Sequence, residues 1–270
     1  MWKQLFLSIV VNENPEVTEG FFGRSEDESF RMFHLEHIIP LVLLAVAIFL
    51  VIMFKDKLRN NKYEKQFRVG FASLMLVSEM SYFWRLLYTQ HGNIRDHLPI
   101  TICGIATVLC AIALLSETRT LFDISYFWVL GTSIFALVMP TVITNHGPKY
   151  YRYYQFWFQH SSIFIAMFYM IFVFKWRPFP KSLLKSTIAL VALTTLAVVT
   201  NSNIEGANYL FIANVDEGNA LLNALPESIA VKVIVVTGVT CFTFFLAYLP
   251  WLIKDIKAKK NQTHLEIKQT

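Results

Sequence analysis

Arg95-Asp96-His97-Leu98-Pro99-Ile100-Thr101-Ile102-Cys103-Gly104 leads into a mostly apolar run that reaches Leu115. This stretch decides the fold, because it reads as the mouth of a membrane-spanning helix. Asp96 and His97 sit just outside. Pro99 takes a first-turn position, where its missing N–H costs nothing. Cys103 then lies about one turn inside, where the positive end of the helix dipole favours a thiolate.

Outward from this mouth the pattern repeats. Hydrophobic residues make up 55% of the 270-residue chain, and charge falls in short blocks between apolar runs. Runs of about 20 apolar residues match a hydrocarbon core of roughly 30 Å. Continuous rather than alternating apolarity excludes a β-barrel. The reading is an all-α membrane protein with seven transmembrane helices, over residues 38–54, 67–88, 98–116, 121–139, 156–174, 183–199 and 229–253. It forms one domain. Residues 1–37 are an interfacial segment outside the membrane, 38–253 the bundle and 254–270 a basic tail. Residues 1–11 are too short to span and have no cleavage site after them, so they read as an interfacial helix rather than a signal peptide.

Lys and Arg set the orientation. With the 1–2, 3–4 and 5–6 loops and the tail in the cytoplasm, most of the 24 basic residues lie there. The positive-inside rule then puts the N-terminus outside and the C-terminus in the cytoplasm. The same clustering explains the net charge of +5 by topology, so no nucleic-acid partner is expected. The 6–7 loop, residues 201–228, has no Lys or Arg but includes apolar pieces. It is expected to fold back over the outer mouth as a lid, which buries that surface at roughly 25 cal/mol per Å².

Polar groups inside a bilayer are costly and usually face the bundle interior. With this orientation they gather on the outer side: Glu79 and Arg85 in helix 2, Cys103 in helix 3, and Gln155, Gln159 and His160 in helix 5. Asn208 and Tyr209 in the outer 6–7 loop join them. Glu79 reads equally as a functional carboxylate and as a structural one. Arg85 reads equally as a snorkelling boundary residue and as a phosphate binder. His160, followed by two serines inside an aromatic helix, stands out as a site residue. Cys110 and Cys241 read as packing residues. No metal is expected, because no two histidines show the i, i+4 spacing of a helical zinc motif. No cofactor is expected either: no phosphate loop, Gly-x-Ser-x-Gly elbow or dinucleotide fingerprint occurs.

Short motifs in a fixed order carry a family resemblance. Phe33-His34-Leu35-Glu36-His37 opens helix 1, Leu98 to Cys103 opens helix 3, and Gln159-His160-Ser161 lies in helix 5. Asn208-Tyr209-Leu210, Leu221-Leu222 and Leu225-Pro226 fall in the 6–7 loop. On these the chain resembles the YwaF-type bacterial integral membrane proteins, which are related to the transmembrane protein 164 family. The eukaryotic relatives are implied to be cysteine-dependent acyltransferases acting on phospholipids, with a Cys and a His matching Cys103 and His160. Thr101 stands where the bacterial pattern commonly has a histidine. The resemblance thus implies a multi-pass protein of the bacterial plasma membrane with a phospholipid substrate. Cys103 is the nucleophile, His160 its base, Glu79 or Asn208 the orienting group, and Arg85 and Tyr209 part of the lipid site. The alternative is a transporter or ligand-binding protein using the same pocket, and a seven-helix receptor is a third reading. One-sided polarity and the lack of a repeat favour the enzyme over the transporter. Oligomeric state is not encoded in any motif.

Overall fold

In a computed structural model the chain is described over residues 20–25, 27–89, 92–93, 95, 97–211 and 228–269. The expected interfacial helix over 1–11 and the apolar 220–225 piece of the 6–7 loop lie outside these residues, as do Glu26, His91 and Asp96. Among the described residues the structure is helical with no strand.

Each of the seven expected helical segments is helical. They are α1 (Leu35–Met53) with a short α2 after it (Lys55–Arg59), α3 (Glu64–Tyr88), α4 (Ile102–Ser116), a composite rod, α7 (Tyr151–Phe172), α8 (Pro180–Asn203) and α9 (Ile229–Gln269). The rod joins α5 (Arg119–Phe127), a π-helical turn (Trp128–Ser133) and α6 (Ile134–Val138). Among the described residues four segments are long and apolar enough to cross a membrane: Leu35–Met53, Arg119–Val138, Pro180–Asn203 and Ile234–Asn261. Helix α4 is apolar but shorter. Helices α3 and α7 carry several of the buried polar residues, including Arg68, Glu79, Arg85, Gln155, Gln159 and His160, which lowers their apolarity.

The start of α4 differs from the sequence expectation. The helix begins at Ile102, not at 98, and Thr101 is its N-cap in an extended conformation. Thr101 Oγ1 accepts a hydrogen bond from Gly104 N at 3.1 Å, which satisfies one of the first-turn amides. Pro99 therefore precedes the helix rather than sitting in its first turn, consistent with its bias against helical geometry in the residue before it. Cys103 occupies the second helical position.

The succession of rods gives the bundle two ends. At the mouth end lie the starts of α1, α4 and α7 and the ends of α3, α6 and α8. Residues of the N-terminal segment pair with the loop before α7, Ser25 N to Asn145 O at 2.9 Å and Phe30 N to Thr144 O at 3.0 Å. Tyr153 Oη donates to Glu36 O at 2.6 Å across α7 and α1. At the opposite end, Arg59 donates to the carbonyls of Val173 and Phe172 at the C-terminus of α7. Helix α7 occupies the interior, packed on α1, α3 and α4. Helices α1, α8 and α9 instead expose large apolar side chains such as Leu43, Phe49, Leu184, Ile188, Ile234 and Phe242. Exposed apolar faces of this extent are those of a lipid-facing surface.

Candidate functional site

Glu79 is the common neighbour at the mouth end. One carboxylate oxygen accepts from Gln159 Nε2 at 2.5 Å. The other lies against Gly104, where an added Cβ would stand 2.7 Å from it. Only a residue without a side chain lets α4 come this close to the carboxylate. Glu79 therefore touches the residue next to His160 and the residue next to Cys103. The carboxylate ties the levels of α4 and α7 together.

A polar chain continues from Glu79 along one face of α7. Gln155 Nε2 donates to Gln159 Oε1 at 3.4 Å and to Ser78 O at 3.2 Å. Arg152 donates to Gln155 Oε1, and its guanidinium lies over the Tyr82 ring at 4.4 Å from the centroid. Residues 152, 155, 156, 159 and 160 recur at the i, i+3 and i+4 spacing of a single helix face. Arg152 is close enough for its charge to act on Glu79, Cys103 and His160. Arg152 is not among the site residues expected from the sequence; the helical stripe it shares with Gln155 and Gln159 was the available signal.

The Cys103 and His160 side chains each have one hydrogen-bond partner among the described residues, and neither bonds the other. Cys103 Sγ donates to Ser133 Oγ at 3.5 Å. His160 Nδ1 pairs with Phe156 O at 2.9 Å, and its ring lies 4.2 Å from the Phe156 ring. A carbonyl only accepts, so Nδ1 carries the hydrogen and the neutral ring keeps its lone pair on Nε2. That is the tautomer of a base. His160 is thus held by its own helix's carbonyl, and among the described residues it makes no hydrogen bond to Glu79 or Asn208. Cys103 is the second residue of α4 and His160 the tenth of α7, so counting from helix ends does not level them. Glu79 supplies that link instead.

Arg85 is 7% exposed and held by the N-terminal segment. It donates to Phe22 O at 2.8 Å and Gly23 O at 3.1 Å, with His146 Nε2 at 3.2 Å. These contacts dock the segment before α1 onto α3. Tyr209 is buried in the loop after α8, and its hydroxyl accepts from Leu98 N at 2.7 Å. Asn201 fixes the Tyr209 backbone through its side-chain amide, at 2.8 and 3.0 Å. The beginning of the 6–7 loop therefore sits on the approach to α4, five residues before Cys103. Asn208 is half-buried beside it. Cys110 is fully buried in the core, while Cys241 is exposed on α9. Among the described residues no three His, Cys, Asp or Glu gather as a metal site.

Apolar rods around a buried polar cluster define a multi-pass membrane protein. The chain belongs to the TMEM164 family, which its residues 32–248 match. The match takes in Cys103, His160, Glu79 and Tyr209. No curated protein and no solved structure matches the chain.

Proposed function

We propose that this protein is a cysteine-dependent acyltransferase acting on membrane phospholipids, with seven spans, its N-terminus outside and its mouth in the outer leaflet of a bacterial plasma membrane. The observation that carries the reading is the position of Glu79, bonded to Gln159 and packed on Gly104. Those residues are the immediate neighbours of an imidazole and a thiol.

The chemistry is a two-step transfer. The Cys103 sulfur attacks the carbonyl of a phospholipid ester while its proton passes to His160 Nε2. The C–O bond breaks, the leaving lysophospholipid oxygen takes that proton, and an acyl-thioester remains on Cys103. A second hydroxyl then gives its proton to His160 and attacks the thioester, and Cys103 recovers its thiol. The first-turn amides of α4 suit the developing oxyanion, since Cys103 lies in that turn. Arg85 already holds two backbone carbonyls, so Arg152 is the better partner for the phosphate. Asn208 and Tyr209 line the rim from the 6–7 loop.

Transport by the same pocket is disfavoured by the opposite end of the bundle. There Arg59 and Arg68 close helix ends on backbone carbonyls, and Arg119 holds Arg177 O in the connection between α7 and α8. A cargo path would have to break those contacts.

The test is transfer of a labelled acyl chain between phospholipid and lysophospholipid in vesicles containing the purified protein. Wild type is expected to make labelled diacyl product and Cys103→Ser to make none. Equal product from both would end the proposal.

A further inference from the structure

The composite rod is interrupted beside Cys103. Trp128–Ser133 forms a π-helical turn, in which one extra residue is accommodated before the α-helix resumes. One residue is about 100° around a helix, so the insertion decides which side chain faces α4. Ser133 is that side chain: it is 1% exposed and accepts the Cys103 thiol hydrogen bond. Its own hydroxyl donates to Trp128 O at 3.1 Å, the carbonyl five residues back. Thr132 donates to the same carbonyl at 2.6 Å. Trp128 O is therefore served by two hydroxyls and loses little if one of them turns away.

The turn is held from its other side. A Cβ on Gly131 would stand 2.7 Å from the Phe244 ring of α9, so α9 packs directly on the π-turn backbone. That packing fixes the rod against rotation while Ser133 remains aimed at the sulfur.

We propose that Ser133 is a positioning residue for Cys103, accepting a hydrogen bond from the thiol at rest and rotating to donate to the sulfur when the proton leaves. The inference rests on the acyl-transfer reading for its purpose. At rest the order is S–H to Ser133 Oγ, and Ser133 O–H to Trp128 O. When the Cys103 proton passes to His160, the Ser133 O–H swings from the carbonyl to the thiolate, and Thr132 continues to satisfy Trp128 O. No atom is gained or lost at Ser133. The charged groups that bear on Cys103 are Glu79 on α3, beside Gly104, and Arg152 on α7. The rod supplies no charge at this level, only the Ser133 hydroxyl. A hydrogen bond to a charged group is worth roughly 1.5–3 kcal/mol, or about tenfold or more in the ionisation equilibrium.

The experiment measures Cys103 alkylation by N-ethylmaleimide against pH, by mass spectrometry, in the full chain carrying Cys110→Ala and Cys241→Ala. Ser133→Ala is expected to react about tenfold more slowly near pH 8, with its profile moved about one pH unit to the alkaline side. Thr132→Val removes the hydroxyl that holds Trp128 O when Ser133 turns away, and is expected to move the profile by less than Ser133→Ala does. Superimposed Ser133→Ala and parent profiles overturn the proposal, as does an equal shift in Thr132→Val. The S–H infrared stretch of Cys103 in the unsubstituted protein, isolated by subtracting Cys103→Ala, gives a second reading without any change at Ser133. A hydrogen-bonded band is expected, and a free-thiol band overturns the proposal. Neither measurement needs acyl transfer. A protein that shows the shift but never forms a thioester loses the acyltransferase reading and keeps the Ser133 assignment.

Discussion

The two ends of the bundle use buried charge in opposite ways. At the end away from the mouth, arginines finish helices. Arg59 takes the last carbonyls of α7, Arg68 takes Leu114 O and Glu117 at the end of α4, and Arg119 takes Arg177 O. Asp123 is enclosed by Ser182 and Lys185 at 2.7 and 2.6 Å. Arg177 pairs with both oxygens of Asp255 at 2.8 and 2.6 Å. At the mouth the polar groups bond mainly to each other, from half-buried Arg152 to the buried Gln155, Gln159 and Glu79. That chain ends against a thiol-bearing turn instead of a backbone carbonyl. Charge that caps a helix fixes the fold; charge strung between side chains is left with capacity for a ligand. Arg85 is the exception, a mouth residue used in the manner of the far end.

The largest expected effect breaks the far end. Arg68 is 4% exposed and bridges Glu64, Glu117 and Leu114 O. Arg68→Ala leaves a carboxylate and a carbonyl without their partner, and is expected to cost about 3–5 kcal/mol in thermal or denaturant unfolding. Glu79→Gln, by contrast, is expected to hold its melting temperature within a few degrees while acyl transfer is lost. If the two substitutions destabilise equally, the ends are not different in kind.

Gly104→Ala sharpens the same contrast from within the mouth. The new methyl would meet Glu79 Oε1 and Thr101 Oγ1, each at 2.7 Å. Overpacking of this kind costs typically about 1–3 kcal/mol, and it pushes α4 away from the carboxylate. Unfolding and transfer assays on one preparation are expected to show a moderate loss of stability with a near-complete loss of transfer. Unchanged transfer would mean that the close approach of Glu79 and α4 does not matter.

How far these differences could be read in advance depends on what each residue answers to. The apolar runs answer to the bilayer, so all seven helical segments were legible, and the tail after 253 was correctly basic although it continues α9 as helix. The start of α4 was misplaced because Pro99 suits a first turn in general, whereas here the Thr101 hydroxyl captures Gly104 N and sets the start four residues later. Glu79 and Gln159 were legible as polar residues in apolar helices, but their bond is between elements 80 residues apart and has no local signal. Ser133 was invisible for a related reason. A serine in an apolar helix suggests packing, and only the π turn, enforced by α9 against Gly131, points it at Cys103. Arg85 was legible as a polar residue near the end of an apolar helix, yet its partners Phe22 and Gly23 belong to a segment with no periodic pattern.

The smallest expected effect concerns the N-cap. Thr101→Ala removes the bond to Gly104 N and is expected to cost about 1 kcal/mol, read as a small fall in melting temperature. Thr101→Ser, which keeps the hydroxyl, is expected to restore it. A loss of transfer in Thr101→Ala much larger than this fall would give the threonine a part in the site beyond capping.

The claim that the mouth performs chemistry while the far end holds the fold is tested most directly at Cys103 itself. Purified protein is mixed with phospholipid vesicles, quenched in acid and digested, and the Cys103 peptide is weighed before and after hydroxylamine. The account predicts a hydroxylamine-labile acyl group on Cys103 in the parent, and none in a folded His160→Ala variant. A Cys103 that stays free in the parent, or is acylated equally in His160→Ala, would contradict it.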